Sequence, residues 1–471
     1  MPFLDRLSRW AAEKQHEPAV VCGRERLSWS ELHGAAAALA RSGEPTGVLR
    51  EPNSVGFAVR WAAGVAGERE CAVLDPAWPD DLADTVERRL AERWGAPAHR
   101  RPAPEALRDG EPASSFLVGL TSGTTSVPKA FSRSRASWVR SFEASAAAFR
   151  LDPADRVLAP GPLSASLNLY TLSECLWAGA TFHTLARFDV GDAHAEVSLR
   201  GITRLVLVPT MLRVLAERGI TGDVDASGIT AVVCSGQKLD RRTLEAVRRW
   251  APRAVVWEYY GASELSFVAA SRHDPGPAAA AAEVGTGVGR AFEGVEAAIL
   301  DDRGAPVSDG QTGNICVRSP LVCDGYVWGD DGQAFTRLGD WFTVRDQGFL
   351  DAGELHVLGR SQDMINTGGH NVYPHEVEAA LAMLPGVAEV VVAGVPDDVR
   401  GQRVVAGIVP AHAGLCQLQL RAGLEGRLAP AKRPLEYLQL DALPVTERGK
   451  LSRTEFSRWA LEGDSRARRL A

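Results

Sequence analysis

The chain has no paired-cysteine motif, no histidine cluster, no long apolar run and no excess of positive charge. Each absence removes a class of protein. Its 7 cysteines form no CxxC pair, and most stand in apolar runs where a thiol behaves as a small core residue in a reduced compartment. Its 10 histidines form no HExxH and no His/Cys group, which argues against a dedicated transition-metal site. No stretch reaches the ~18 apolar residues of a membrane span. The opening Met1-Pro2-Phe3-Leu4-Asp5-Arg6 lacks the basic-then-apolar pattern of a secretory leader, so a cytoplasmic protein is expected. A net charge of -7 leaves no broad basic face for nucleic acid. Arg466, Arg468 and Arg469 read as a solvated end.

What is present is a large core. The 471 residues are 45% hydrophobic and 24% charged, enough for two or more globular domains. Apolar runs at 47–49, 72–74, 116–120, 157–158, 205–208, 231–234 and 255–257 alternate with amphipathic segments at 82–94, 135–149, 211–218 and 240–250. That alternation predicts an α/β fold of parallel sheets covered on both faces. The alanine-rich segment 27–40 predicts a helix capped by Ser28 or Ser30 and ended by Gly43.

From about Glu283 the sequence becomes Gly-punctuated and β-rich, with runs at 295–300, 313–318, 348–350 and 355–358, which predicts a small β-barrel or antiparallel sheet. A last α+β unit has a helix at 374–383 and strands at 387–395 and 404–409, ending near Arg453. A hinge at Gly359-Arg360 would separate a large N-terminal domain, 1–359, from a small mobile C-terminal domain, 360–471. Residues 278–282 read as a short exposed loop.

The most unusual stretch is Leu120-Thr121-Ser122-Gly123-Thr124-Thr125-Ser126-Val127-Pro128-Lys129. It packs hydroxyl side chains and a glycine between an apolar run and a lysine, a composition able to wrap phosphate oxygens. It is not a Walker A loop, because Pro128 precedes the lysine and Ala130 follows it. Taken alone, such a cluster between two periodic segments is read first as a polar loop.

Four further stretches stand in an order that resembles the adenylate-forming superfamily of acyl-CoA synthetases, peptide-synthetase adenylation domains and luciferases. Glu258-Tyr259-Tyr260-Gly261-Ala262-Ser263-Glu264 resembles its YGxTE motif and Gly339-Asp340-Trp341 its TGD motif. Gly359-Arg360 with Gly368-Gly369 resembles the hinge segment, and Pro444 to Arg453 the PxTxxGKxxR motif. Leu74 to Pro79, Gly289-Arg290 and Gly325-Tyr326 are subsidiary resemblances.

The resemblance implies ATP-dependent activation of a small-molecule acid as an acyl-adenylate, with Mg²⁺, and then transfer to CoA. Thr121, Ser122, Gly123, Thr124, Thr125 and Lys129 would hold the β- and γ-phosphates, and Glu264 would take Mg²⁺. Tyr260, within the cofactor-binding run Tyr259, Tyr260, Gly261, Ala262 and Ser263, would offer an aromatic face to adenine, with Ser235, Gly236 and Gln237 beside it. Asp340 would accept both ribose hydroxyls, Arg360 would contact nucleotide at the hinge, and Lys450 would bridge the acid and the α-phosphate. Ser166, Asn168, Ser235, Gly261 and Gly369 would face the acid or the pantetheine arm. The competing structural readings are a helix-start carboxylate for Glu264, a core ring for Tyr260, a turn residue for Asp340 and a surface charge for Lys450.

Three positions depart from the family pattern: Gln362 stands where Asp or Lys is common, Ala165 or Ser166 where an aromatic gate is usual, and Ser126 where glycine is frequent. Two further readings stay open. An adenylating enzyme could use another acceptor or oxyanion, as amide-forming ligases and nitrite-activating diazotases do. A non-catalytic relative could only bind nucleotide or acyl ligands.

Overall fold

Ser28 and Glu31 form the capping box of helix Trp29–Ser42, and Gly43 closes it in the left-handed region at φ 78°, where a glycine costs least. Local signals of this kind build most of the chain. The computed structural model describes residues 3–44, 46–95, 106–121, 127–276, 287–330, 332, 335–360, 363–445 and 451–470. Expectations for Ser122, Gly123, Thr124, Thr125 and Ser126, for 278–282, for Gln362 and for Lys450 lie outside the described residues.

The chain divides into two compact units, the first being Met1–Ala282, Arg290–Ala297 and Val317–Val344, the second Glu283–Gly289, Ala298–Cys316 and Arg345–Ala471. The first carries two sheets. In the larger, the inner strands Val255–Ala262, Ala231–Cys234, Arg204–Leu207, Arg156–Leu158, Thr181–Thr184 and Pro18–Cys22 run parallel in that spatial order, with antiparallel partners at each edge. Ala231–Cys234 and Arg204–Leu207 are buried at every position, as a sheet covered on both faces requires. The smaller sheet has the order Gly325–Trp328, Lys129–Ser134, Ser115–Thr121, Cys71–Val73 and Val48–Leu49.

The β-rich segment is antiparallel and, among the described residues, closes no barrel. Thr336–Leu338 pairs with Trp341–Thr343 in the first unit and Asp346–Asp351 with Glu354–Arg360 in the second. Strands as short as the first pair cannot supply the stagger that closure needs.

The second unit extends past the predicted end at Arg453. Helix Arg453–Glu462 buries Phe456 and Trp459 against Val391, Val405 and Leu440, and strand Ala467–Arg469 then pairs antiparallel with Glu436–Leu440. The arginine tail is therefore a strand: Arg468 meets Asp441 at 2.6 Å while Ala467 and Leu470 turn inward. Among the described residues no helix is long and apolar enough to cross a membrane.

Candidate active site

Strand Ser115–Thr121 ends at Thr121, whose register partner on the returning strand is Lys129. The two ends of the hydroxyl-rich stretch therefore stand side by side. Lys129 is only 8% exposed although it heads its strand, and its Nζ lies 5.9 Å from the centre of the Tyr326 ring. Tyr326 belongs to the neighbouring strand Gly325–Trp328, and Trp328 ties the stretch from the same side by donating its indole N–H to Pro128 O at 2.9 Å.

The Tyr326 hydroxyl donates to Glu264 Oε1 at 2.5 Å. Burial, then the Glu264 charge, raise the phenol pKa well above its ordinary value, and a side-chain hydrogen bond with Thr121 opposes them. The phenol therefore stays a neutral donor at physiological pH. Thr121, Lys129, Glu264 and Tyr326 thus converge from three separated segments.

Glu264 lies in the turn between strands Val255–Ala262 and Ser266–His273, so the helix-start reading is excluded. The buried Arg133 guanidinium holds this turn from below, donating to Leu321 O at 2.5 Å, Ser263 O at 2.8 Å and Glu264 O at 3.5 Å. The Cys323 N–H donates to Glu264 O at 2.7 Å. The hairpin leading into the turn is irregular. Tyr260 pairs with Ala269 but Gly261 with Phe267, leaving Val268 as an extra residue, and a Cβ on Gly261 would lie 2.2 Å from Ser266 O. Only glycine fits there.

Tyr259 and Tyr260 follow one another on the strand and so take opposite faces. Tyr259 packs against Phe267, with ring centres 4.7 Å apart, and against Phe149 at 5.8 Å, while Tyr260 is half-buried. The Ser235-Gly236-Gln237 loop is clamped to the same strand. Ser235 Oγ donates to Tyr259 O at 2.9 Å, Gly236 turns at φ 87°, and Lys238 meets the buried Glu258 at 2.6 Å.

Ser166 opens helix Ser166–Ala178, with its Oγ 3.1 Å from Ser263 Oγ, so it borders the turn that carries Glu264. Asn168 is buried and its amide donates to Pro162 O at 3.1 Å. Ala262 and Ser263 complete the strand and the turn. Asp340 is exposed in the turn between Leu338 and Trp341, with Arg337 Nη2 at 3.2 Å, a solvent-screened pair that holds a carboxylate only weakly.

In the second unit, Arg360 ends its strand 63% exposed with Nε 3.7 Å from Asp346 Oδ1, and Gly368-Gly369 turn the hairpin between Thr367 and His370. Residues flanking the Lys450 segment bridge antiparallel, Val445 to Leu451, and Ser452 N–H donates to Pro444 O at 2.8 Å. Arg453, the last residue of that motif, turns inward to Glu378 at 2.6 Å.

Sequence reasoning assigned no role to Tyr326 or Arg133. Gly325-Tyr326 carried a family-like signal, whereas Arg133 carried none, because its partners lie 130 and 188 positions away. Among the described residues no group of three or more His, Cys, Asp or Glu converges to cage a metal. A lone Glu264 suits Mg²⁺, which binds through one or two carboxylates and takes the rest of its shell from phosphate oxygens and water.

Residues 62–327 match the AMP-binding enzyme family and residues 376–450 the AMP-binding enzyme C-terminal domain. An uncharacterized acyl-CoA ligase of Bacillus subtilis (strain 168), YhfT, is 33% identical over 361 residues, spanning 76% of this chain and 72% of that one. The indoleacetate-CoA ligase of Aromatoleum aromaticum is 34% identical over 352 residues, spanning 73% of this chain and 67% of that one. Among solved structures, ATP-bound MatB from Rhodopseudomonas palustris superposes with a TM-score of 0.81 at 24% identity, covering 97% of this chain and 98% of that one. That likeness concerns the fold.

Proposed function

The chain belongs to the AMP-binding enzyme family and is an AMP-forming ligase, and from that premise we propose that it activates a carboxylic acid with ATP and passes the acyl group to CoA. One acid oxygen attacks the α-phosphorus, the bond from that phosphorus to the bridging oxygen breaks, and pyrophosphate leaves with the electron pair. The CoA thiolate then attacks the acyl carbon and AMP departs, the thiol proton having gone to solvent. Two anions must meet in the first step, so fixed positive charge and positioning supply most of the rate.

The observation that carries this reading is the convergence of Thr121, Lys129, Glu264 and Tyr326 at the mouth of the hydroxyl-rich stretch. Lys129, with Thr121, Ser122, Gly123, Thr124 and Thr125, would hold the terminal phosphates. Glu264, oriented by the Tyr326 hydroxyl, would hold Mg²⁺, which shields phosphate charge when bound. Tyr260 and the loop Ser235, Gly236 and Gln237 would border adenine, and Asp340 would take the ribose. Ser166 and Gly261 would edge the acid. Lys450, in a mobile domain spanning 360–471, would bridge acid and α-phosphate, and Arg360 and Gly369 would serve the hinge and the pantetheine arm.

Pyrophosphate exchange over a panel of acids, with AMP and thioester measured separately with and without CoA, tests the reading. Lys450→Ala is expected to lower exchange by about 10³-fold while ATP binding stays near normal, and near-normal exchange by that variant would sink the assignment. Ala165, standing where an aromatic gate is usual, supports an amine acceptor as the second reading. Thioester formation from acid, ATP and CoA, with no amide formed when an amine replaces CoA, would remove it.

A further inference from the structure

Helix Ser166–Ala178 turns one face toward a cavity inside the first unit. Leu167, Tyr170, Thr171 and Glu174 repeat at the three- and four-residue spacing of such a face, and Ser166 stands at its outer end beside Ser263. Glu174 lies about 12 Å deeper than Ser166 along the axis, at about 1.5 Å per residue. The remaining wall is mostly apolar, with Phe149, Val206, Tyr259 and Phe267 prominent and one cation, Arg204.

A carboxyl in the wall of such a cavity is chemically out of place. Glu174 is half-buried and is one of the residues that line the cavity. Its protein partner is neutral: Ser145 Oγ donates to Oε1, and the Tyr170 hydroxyl lies 3.0 Å from the same Ser145 oxygen. The cation in the wall, Arg204, is committed elsewhere, to Asp155 at 3.0 Å and to the carbonyls of Phe149 and Arg150 at 2.9 and 2.8 Å. Burial pushes the Glu174 carboxyl up to about 7, against the Ser145 hydrogen bond and the Arg204 charge, which both act to lower it. A leucine would pack there at no such cost, so the acceptor capacity left over is what the position offers to a ligand.

Resting on the adenylating reading above, we propose that Glu174 is a specificity-determining residue that selects carboxylic acids carrying a hydrogen-bond donor, hydroxyl or N–H, at the end remote from the carboxylate. The ligand's donor supplies the bond that the protein withholds, and a methyl in its place leaves the carboxyl unsatisfied. A hydrogen bond to a charged or part-charged acceptor corresponds to about 10- to 100-fold discrimination.

The test compares 3-(4-hydroxyphenyl)propionate with 3-(4-methylphenyl)propionate, and 10-hydroxydecanoate with undecanoate. Binding is followed by calorimetry and kcat/KM by pyrophosphate exchange, on the full chain and on Glu174→Leu and Glu174→Gln. The unmodified enzyme is expected to favour the hydroxylated member of at least one pair by about 10-fold or more. Glu174→Leu should reverse that ratio with no loss of melting temperature, and Glu174→Gln should keep part of it. A residue with only a structural role would shift both members of a pair together. Equal treatment of both members by the unmodified enzyme overturns the inference, as does a parallel loss for both in Glu174→Leu, or the failure of every probe to bind. Selective binding of the hydroxylated acid without pyrophosphate exchange would instead overturn the adenylating reading and leave this one standing.

Discussion

Glu378 in the second unit and Glu264 in the first are almost equally buried, at 9% and 7% exposure, but the chain gives them opposite company. Glu378 meets Arg453 at 2.6 Å and His375 at 3.2 Å and accepts the Val392 N–H at 2.9 Å. Burial alone would raise its carboxyl, but the Arg453 charge and the His375 contacts outweigh it and hold the group at about 2. Glu264 receives a neutral hydroxyl from Tyr326, and the backbone beneath it is pinned by Arg133 and Cys323. The difference separates two uses of a buried charge. A carboxylate given a cation and an amide is architecture, whereas Glu264, given a neutral hydroxyl, is the one that the function proposed above assigns to a cation brought from outside.

The comparison breaks most readily at Arg453. Arg453→Met strands Glu378 without its cation and is expected to destabilise the second unit by about 3–5 kcal/mol. Adding Glu378→Gln should recover part of that loss, and denaturant unfolding followed by circular dichroism reads both. Acid probes the same pair. The folded value of about 2 lies below the ordinary 4.5, so its stabilisation is complete above about pH 4.5 and drains away as pH falls toward about 2. The loss should be on the order of 3 kcal/mol, and it should vanish in the Arg453→Met, Glu378→Gln double variant.

Glu264→Gln sharpens the other side, because it keeps the shape and the bond to Tyr326 while removing the charge. Exchange is expected to fall about 10²-fold with the melting temperature unchanged within about 2 °C, and a stability loss as large as that of Arg453→Met would erase the distinction. The smallest effect belongs to Tyr326→Phe. Loss of one hydroxyl should slow exchange about 10-fold, with added Mg²⁺ restoring part of the rate.

Much of the fold was legible because its signals are local. The Ser28 cap with Glu31, the closing Gly43 and the apolar run Ala231–Cys234 are each contained within a few residues. The same holds for the stretch ending at Lys129 and for the Tyr260-Gly261 segment. Illegible were the residues whose meaning comes from distant partners. Arg135 is fully buried, with its guanidinium on the carbonyls of Val65, Gly67 and Arg69, and in sequence it reads as a surface charge at the start of a helix. Tyr326 reaches Glu264 across 62 positions, and strand Ala467–Arg469 hides in a polar tail because only Ala467 and Leu470 turn inward. Glu174 left no trace in the helical pattern, since one carboxyl among apolar neighbours on a helix usually faces water.

The extra residue Val268 acts as a phase-setter for the hairpin that ends at Glu264. On either side of it the up-and-down order of side chains starts afresh. Excising that single position would leave Gly261 opposite Phe267 and Ala262 opposite Ser266, and would remove the local kink and added twist by which the bulge aims the Glu264 tip. Replacing Val268 by another aliphatic residue should pass almost unnoticed, so what this ribbon protects is a spacing, and substitution scans alone would miss it.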